Sequence, residues 1–318
     1  MTVELHFTGR RRSALELAVE FVLRDWNSGP IDLRDTLIIV PTRNAGRRLR
    51  ERLALLAAEK NTAVLSGSIH TPSRLFAPKE NSSVPVASDV IAESFMRKVL
   101  DSFDKGKLES LSRADFKENP ATRSSAAEHM VRLRATVCEE NYDFKLFSGK
   151  TEHERERWAC LASLEQAYRN LLGKYGWQDD VDAKFKAAAN PDIPTNVRRV
   201  VVLFVPDPPP LALSALKKIS GRIPVDICVH AEEGEKALFD EWGLPRPELW
   251  QQAGLPLDPS QVEVCDDAMA MAERVRQCVA NLDEQTHFGV TVGIGDLKNA
   301  GLISDLLERN GVPVFDPS

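Results

Sequence analysis

The feature that most constrains this chain is a break in its texture. Short apolar runs of strand length alternate with helix-period segments up to about Pro78 and again from Arg199 onward. Between Ala87 and about Ala189 almost no β-rich run occurs. Strands alternating with helices argue for a parallel sheet with helices on its faces. The intervening stretch of roughly a hundred residues is then an all-helical insertion of ordinary domain size.

The first α/β part opens with the strand "VELHF" and a helix from Ser13 to Arg24, with Leu15, Val19, Val22 and Leu23 at helical spacing. "TLIIV" (36–40) is a continuous apolar run, as in a strand buried on both faces. Thr42 is suited to cap a helix running to about Lys60, with Leu49, Leu53 and Leu56 inward. "TAVLSGS" is expected to be a third strand. After the insertion, "NPDIPTNVRR" acts as a linker, and Arg199–Val205 and "VDICVH" are strands around a helix over Pro210–Ser220. An irregular segment anchored by Trp242 and Trp250 follows. The last part reads as strand "VEVC" (262–265), helix Ala268–Leu282, strand "VTVGI" (290–294), helix Leu297–Asn310 and strand "VPVF". A βαβαβ unit of about sixty residues buries little by itself, so it is expected to open a domain that continues past Ser318.

The domain expectation is therefore 1–77 and 195–259 as two parts of one α/β domain, 78–194 as the helical insertion, and 260–318 as the beginning of a second α/β domain. Of the 318 residues, 43% are hydrophobic and 28% charged, ordinary for a globular protein of more than one domain. The net charge of −6 gives no global support for nucleic-acid binding, which would have to come from a local basic patch. Five scattered cysteines, Cys138, Cys160, Cys228, Cys265 and Cys278, with no CxxC, read as reduced thiols. No signal-peptide core opens the sequence, and no apolar run nears the ~20 residues of a membrane span. A cytoplasmic protein with no membrane association is expected.

Two stretches carry the candidate chemistry. In "LHFTGRRRSALELAVEF" (5–21), strand, glycine turn and helix follow one another where a phosphate loop, G-x-x-x-x-G-K-[ST], would sit. Gly9 fits its first position, but the second glycine falls on Ala14, the lysine on Leu15 and the hydroxyl residue on Glu16. These supply neither close backbone approach to phosphate, nor charge for it, nor a Mg²⁺ ligand. Gly9, Arg10, Arg11, Arg12 and Ser13 are thus a degenerate nucleotide site or an ordinary turn, with the arginines still able to meet an anion at a helix N-terminus. In "VPTRNAGRRLRERLALL" (40–56), a buried strand runs into a helix bearing Arg47, Arg48, Arg50 and Arg52. Arginines at a helix start beside a sheet edge suit phosphodiester contacts, and a solvated basic face is the alternative.

The order of the motifs adds a resemblance. Thr42-Arg43-Asn44-Ala45-Gly46-Arg47-Arg48-Leu49-Arg50-Glu51-Arg52 resembles the block "T-N-K-A-A-x-E-M-x-x-R" of UvrD/Rep-type superfamily 1 helicases. "SGSIHTPSRLF" (66–76) is similar to their "T-x-H-S" segment, with Ser68, His70 and Thr71 in register. A helical insertion follows in both. "VVVLFVPDPPP" resembles a segment of the AddB/RexB subunits of bacterial double-strand-break repair nucleases. There the expected acidic position falls on Leu203 and the glycine on Phe204, and Asp207 is the one acid nearby. "ALFDEWGLPRPELW" (237–250), "QVEVCDDAMAMAERVRQCV" and "GLISDLLERNGVPVF" resemble further AddB-type segments.

The resemblance implies a RecA-like (P-loop NTPase-like) sheet split by the insertion, followed by the beginning of a second RecA-like domain. It implies that Thr42, Arg43, Asn44, Arg47, Ser68 and His70 line a DNA path. Because both nucleotide motifs have lost their chemistry, ATP and Mg²⁺ are not expected to bind productively. An ATP-inactive DNA-binding scaffold follows, comparable to RecC, with DNA (a single strand or a duplex end) and an ATP-driven helicase–nuclease subunit as partners. The PD-(D/E)XK nuclease of such proteins would lie beyond residue 318, since "EEGEK" holds no E-x-K and Asp226 sits inside an apolar strand. No catalytic residue and no metal site are assigned. A divergent but active ATP-dependent helicase and a protein-interaction scaffold without DNA contact are the alternatives.

Overall fold

The structure, a computed structural model, describes residues 3–78, 83–111, 119–149, 154–254, 258–282 and 290–315. The chain forms two compact units, Met1–Gln252 and Ala253–Ser318. The first unit contains strands β1 (Val3–Phe7), β2 (Ile31–Asp32), β3 (Thr36–Ile39), β4 (Val64–Leu65), β5 (Ser68–His70), β6 (Arg199–Leu203) and β7 (Val225–Val229). Five of them make one sheet in the order β1-β7-β6-β3-β5, every pairing parallel. The last strand therefore inserts between the first and β6.

Successive side chains of a strand point to opposite faces, and here both faces are covered. Val200 and Val202 of β6 enter one core with Leu37, Ile39, Val225 and Ile227, while Val201 and Leu203 enter another with Ile38, Val40 and Ile69. Burial on both sides is why these strands read as unbroken apolar runs. The second core is roofed by α1 (Ala14–Val22) and α2 (Arg43–Glu59), through Ala18, Val19, Leu49 and Leu53. Each helix starts where a hydroxyl can take an orphan N–H: Ser13 accepts from Glu16 N, and Thr42 from Ala45 N.

The run "TAVLSGS" is not one strand. β4 pairs with β2 in a separate two-stranded ladder, and β5 joins the main sheet. The break is at Gly67, where an added Cβ would lie 2.3 Å from the Leu33 carbonyl oxygen. Only glycine allows so close a backbone approach.

Between β5 and β6 run α3 (Asp89–Ser102), α4 (Lys105–Leu108), α5 (Pro120–Glu139), α6 (Phe144–Ser148), α7 (Arg155–Lys174) and α8 (Asp180–Ala189). Most of them share a core of their own, including Met96, Leu100, Leu164, Tyr168 and Leu172. Its polar centre is Arg134 of α5. The guanidinium binds both oxygens of Asp179, at 2.9 and 2.7 Å, and Glu165 at 2.8 Å, and it lies over the Tyr168 ring. The other Glu165 oxygen accepts the N–H of Phe144 at the start of α6. A buried charge is tolerated only when fully partnered, and this one ties α5, α6, α7 and the cap of α8 together. The face of the main sheet opposite α1 and α2 is covered by α8 and by α9 (Pro210–Ile219), with Trp242 completing that core ahead of α10 (Pro247–Trp250).

In the second unit, α11 (Ala268–Ala280) and α12 (Ala300–Arg309) pack through Ala272, Val279, Ile303 and Leu307. The strands expected at "VEVC", "VTVGI" and "VPVF" do not form among the described residues. A strand exists only with a ladder partner. Val264, 92% exposed, has the strand-like alternation but joins no core among the described residues.

Candidate functional site

Parallel α/β sheets bind ligands at the carboxyl ends of their strands. Here that rim is formed, in sheet order, by the turns after β1 (Thr8–Arg10), β7 (His230–Glu232), β6 (Phe204–Asp207), β3 (Val40–Arg43) and β5 (Thr71–Arg74). The residues singled out from sequence occupy its two ends. Gly9–Ser13 lie past β1, and Thr42, Arg43, Asn44, Arg47 and His70 lie past β3 and β5. Four strand spacings, roughly 19 Å, separate β1 from β5. Ser68 is at the other end of β5, beside Leu37, away from the rim.

The turn after β1 is occupied by the chain itself. Thr8 N donates to Val229 O and Gly9 N to Ala231 O, extending the β1–β7 contact beyond the strands. Gly9 has φ +73°, and its missing Cβ faces the Glu232 carboxylate at 3.4 Å. Glu232 accepts the backbone N–H of Arg10 at 3.1 Å, and Glu235 binds the Arg10 guanidinium at 2.9 Å. Arg12 pairs with Glu20, while Arg11 is exposed. Glu16, at the hydroxyl position of a phosphate loop, binds Arg52 at 2.9 Å and so links α1 to α2. An incoming phosphate would meet two carboxylates here. The acids were visible in "HAEEGEK", but only the fold shows that they face Arg10.

The other half of the rim is basic. Arg43 and Arg74 are exposed, and neither has a carboxylate partner among the described residues; Arg48 is exposed on the opposite flank of α2. Arg50 is exposed as well, although one nitrogen donates to Ile69 O at 2.8 Å. Arg47 is committed differently: its guanidinium binds Asn44 Oδ1 at 2.9 Å and pairs with Glu51. Burial, then the charges of Arg74 and Arg50, hold the His70 imidazole below its ordinary pKa, so it is neutral at pH 7. Its neutral ring can hydrogen-bond without adding charge.

At the centre of the rim stands Phe204, at the position where the resemblance places glycine. It has φ +51°, and its N–H donates to Cys228 O at 3.0 Å. Leu203 before it is buried, and Asp207 is exposed four residues past the end of β6. No sequence signal marks a bulky residue for a left-handed conformation.

The opposite end of the sheet holds the one buried acid of β7. Asp226 receives His6 Nε2 at 2.9 Å, Arg199 Nε at 2.6 Å and Arg24 at 3.3 Å. Burial alone would raise its pKa, but the hydrogen bonds from His6 and Arg199 and the charges of Arg199 and Arg24 outweigh it and hold the carboxyl below its ordinary range. Glu4, His6 and Asp226 bring ligand atoms within 4.8 Å of one another, a spacing a metal could use. With two guanidinium groups already on Asp226, the arrangement repels a cation and serves instead as an ion-pair junction beneath α1.

No helix among the described residues is long and apolar enough to cross a membrane. No protein-family model and no curated protein matches this chain. A functional reading therefore rests on its own residues.

Proposed function

We propose that this chain is a RecA-like, helicase-type scaffold that binds DNA without hydrolysing ATP. As the AddB-like resemblance implies, it would act in double-strand-break repair and recombination, beside an ATP-driven helicase–nuclease partner and a nuclease module outside residues 1–318. The parallel five-stranded sheet and the helices inserted between β5 and β6 support the fold reading. The observation that carries the function is the division of the rim. Glu232 and Glu235 stand where a nucleotide's phosphates would be, while Arg43, Arg50 and Arg74 lie about the ends of β3 and β5. Phosphate contacts supply most of the affinity in DNA binding and make it depend on salt.

Two titrations test this. Calorimetry with ATP and Mg²⁺ should give no binding, and micromolar Mg²⁺-dependent affinity would favour an active translocase instead. Fluorescence anisotropy with DNA should give affinity that falls steeply with salt. An Arg43→Ala variant with unchanged affinity and unchanged salt slope would favour a protein-interaction scaffold.

A further inference from the structure

We infer that two copies of this chain pair through β1, edge to edge and antiparallel about Leu5, so that their sheets run on into each other. The inference does not draw on the DNA-binding reading.

β1 (Val3–Phe7) ends the sheet, with β7 on one side of it. Thr8 N donates to Val229 O. Bonding residues alternate along a ladder strand, so Glu4 and His6 also turn their N–H and C=O groups to β7, and Val3, Leu5 and Phe7 turn theirs outward. These outward groups have no partner among the described residues. Edge strands are ordinarily blunted by brevity, a bulge, proline or lysine. The opposite edge, β5, is three residues long and runs into Pro72. β1 has five residues, with neither proline nor lysine.

The residues of this edge suit a second copy of the same edge. Val3-Glu4-Leu5-His6-Phe7 reads the same in both directions in character: apolar, polar, apolar, polar, apolar, with the acid and the imidazole in matching places. An antiparallel pair centred on Leu5 sets the outward groups of Leu5 against those of the other Leu5, and those of Val3 against Phe7. Glu4 then faces His6 of the second copy as a non-hydrogen-bonded pair, in which side chains come closest. Registers centred on Glu4 or His6 would oppose like groups, and a shift by one residue would set outward groups against inward ones. The faces agree as well. Val3, Leu5 and Phe7 pack on the core that holds Ile227 and Trp242, whereas His6 meets Phe21 of α1 at 4.7 Å.

Glu4 is 73% exposed. Asp226 holds Nε2 of His6 at 2.9 Å, Glu4 of the same chain is 4.0 Å from that nitrogen, and Nδ1 has no partner among the described residues. A second carboxylate at Nδ1 requires the doubly protonated ring. Around it stand Asp226, Arg24, Arg199 and the Glu4 side chains of both copies. Pairing therefore takes up protons and strengthens as pH falls through the histidine range. Because the paired strands are antiparallel, the two strand-end rims point in opposite directions and both stay open.

Sedimentation equilibrium across a wide concentration range should show a monomer–dimer equilibrium that strengthens from about pH 8 to about pH 6. Residue-resolved hydrogen exchange should slow with concentration at Leu5 and Phe7, and not at His6, whose amide already faces β7. Glu4→Lys changes an exposed side chain, so the fold survives, and it sets an ammonium against His6 in both symmetric contacts. It should weaken the dimer by about 2- to 30-fold, the worth of two cross-strand pairs. Leu5→Pro removes the central outward N–H, which an edge strand tolerates, and should leave a monomer of undiminished thermal stability. If that variant does not fold, the exchange pattern and Glu4→Lys decide. A chain that is monomeric at every concentration and pH overturns the inference. So does a dimer of wild-type affinity in Glu4→Lys without concentration-dependent protection at Leu5, since its contact lies elsewhere.

Discussion

The Glu232 carboxylate accepts the backbone N–H of Arg10 at 3.1 Å, across 222 residues of sequence. Burial would raise the pKa of its neighbour Glu235, but the Glu232 backbone hydrogen bond and Arg10 lower it on balance. A carboxyl lowered by folding stabilises the fold above its unfolded pKa and ceases to as pH falls through the folded value. The Glu235–Arg10 pair is therefore complete at neutral pH and is lost only in acid, below the ordinary glutamate range. Glu232→Gln with Glu235→Gln should speed amide hydrogen exchange at Gly9 and Arg10 a few-fold at pH 7, since exposed pairs contribute up to about 1 kcal/mol. Unaltered exchange would mean that the acids do not hold this turn.

Asp226 gives a second, larger effect. Asp226→Ala leaves Arg24 and Arg199 facing each other with only the exposed Asp25 between them, 3.5 Å from each. A loss of about 2–3 kcal/mol is expected, below the about 3–5 of a fully buried pair because both arginines reach solvent. The lowered pKa of Asp226 makes its contribution present above about pH 4 and lost as pH falls through the folded value. Urea midpoints of wild type and Asp226→Asn, measured from pH 7 to pH 2, should converge in acid.

Arg134 is the structural arginine of the helical layer. Burial works against its charge, but Asp179 and Glu165 more than compensate and raise its pKa far above the range in which it could titrate. Removing it leaves the buried Glu165 and Asp179 with Arg169 alone, 3.6 Å from each. Arg134→Ala should cost about 3–5 kcal/mol in denaturant unfolding. A stability within 1 kcal/mol of wild type, an order-of-magnitude threshold for exposed pairs, would show that water reaches this site.

On the basic half of the rim, the arginines should not be equivalent. Arg43 has no carboxylate partner among the described residues, whereas Arg47 is held by Asn44 and Glu51. On single-stranded DNA each phosphate contact adds about 0.7 to the slope of log affinity against log salt. Arg43→Ala should reduce the slope by about that amount, and Arg47→Ala by less. Equal effects would show that DNA draws Arg47 away from Glu51.

Much of the fold was legible because the main strands are buried on both faces. "TLIIV", "VVVLF" and "VDICV" carry that burial in their composition, and Ser13 and Thr42 mark helix starts by the hydrogen bonds they accept. The break at Gly67 was harder to read, because it depends on carbonyls of Leu33 and Thr36 more than thirty residues away. In the second unit, alternation at Val262 and Val264 suggested a strand, but a strand also needs a neighbour, which local sequence does not specify. The candidate site divided in the same way. The loss of phosphate-loop chemistry at Leu15 and Glu16 was plain in the sequence. That Glu232 sits on Arg10, that Arg47 is internally satisfied and that Phe204 takes a left-handed conformation are all consequences of tertiary pairing.

The insertion of β7 between β1 and β6 also bears on how the protein is made. Among the described residues β1 is an edge strand that pairs with β7, more than two hundred residues later. At about 5–20 residues per second of synthesis, β1 waits roughly 10–45 s for that partner to be translated. Throughout that time its edges are open to other chains. Capture of β7 by β1 also closes a very long loop, and non-local pairing of this kind folds slowly. The nascent chain thus has an interval in which a chaperone or an early-bound partner would determine its yield.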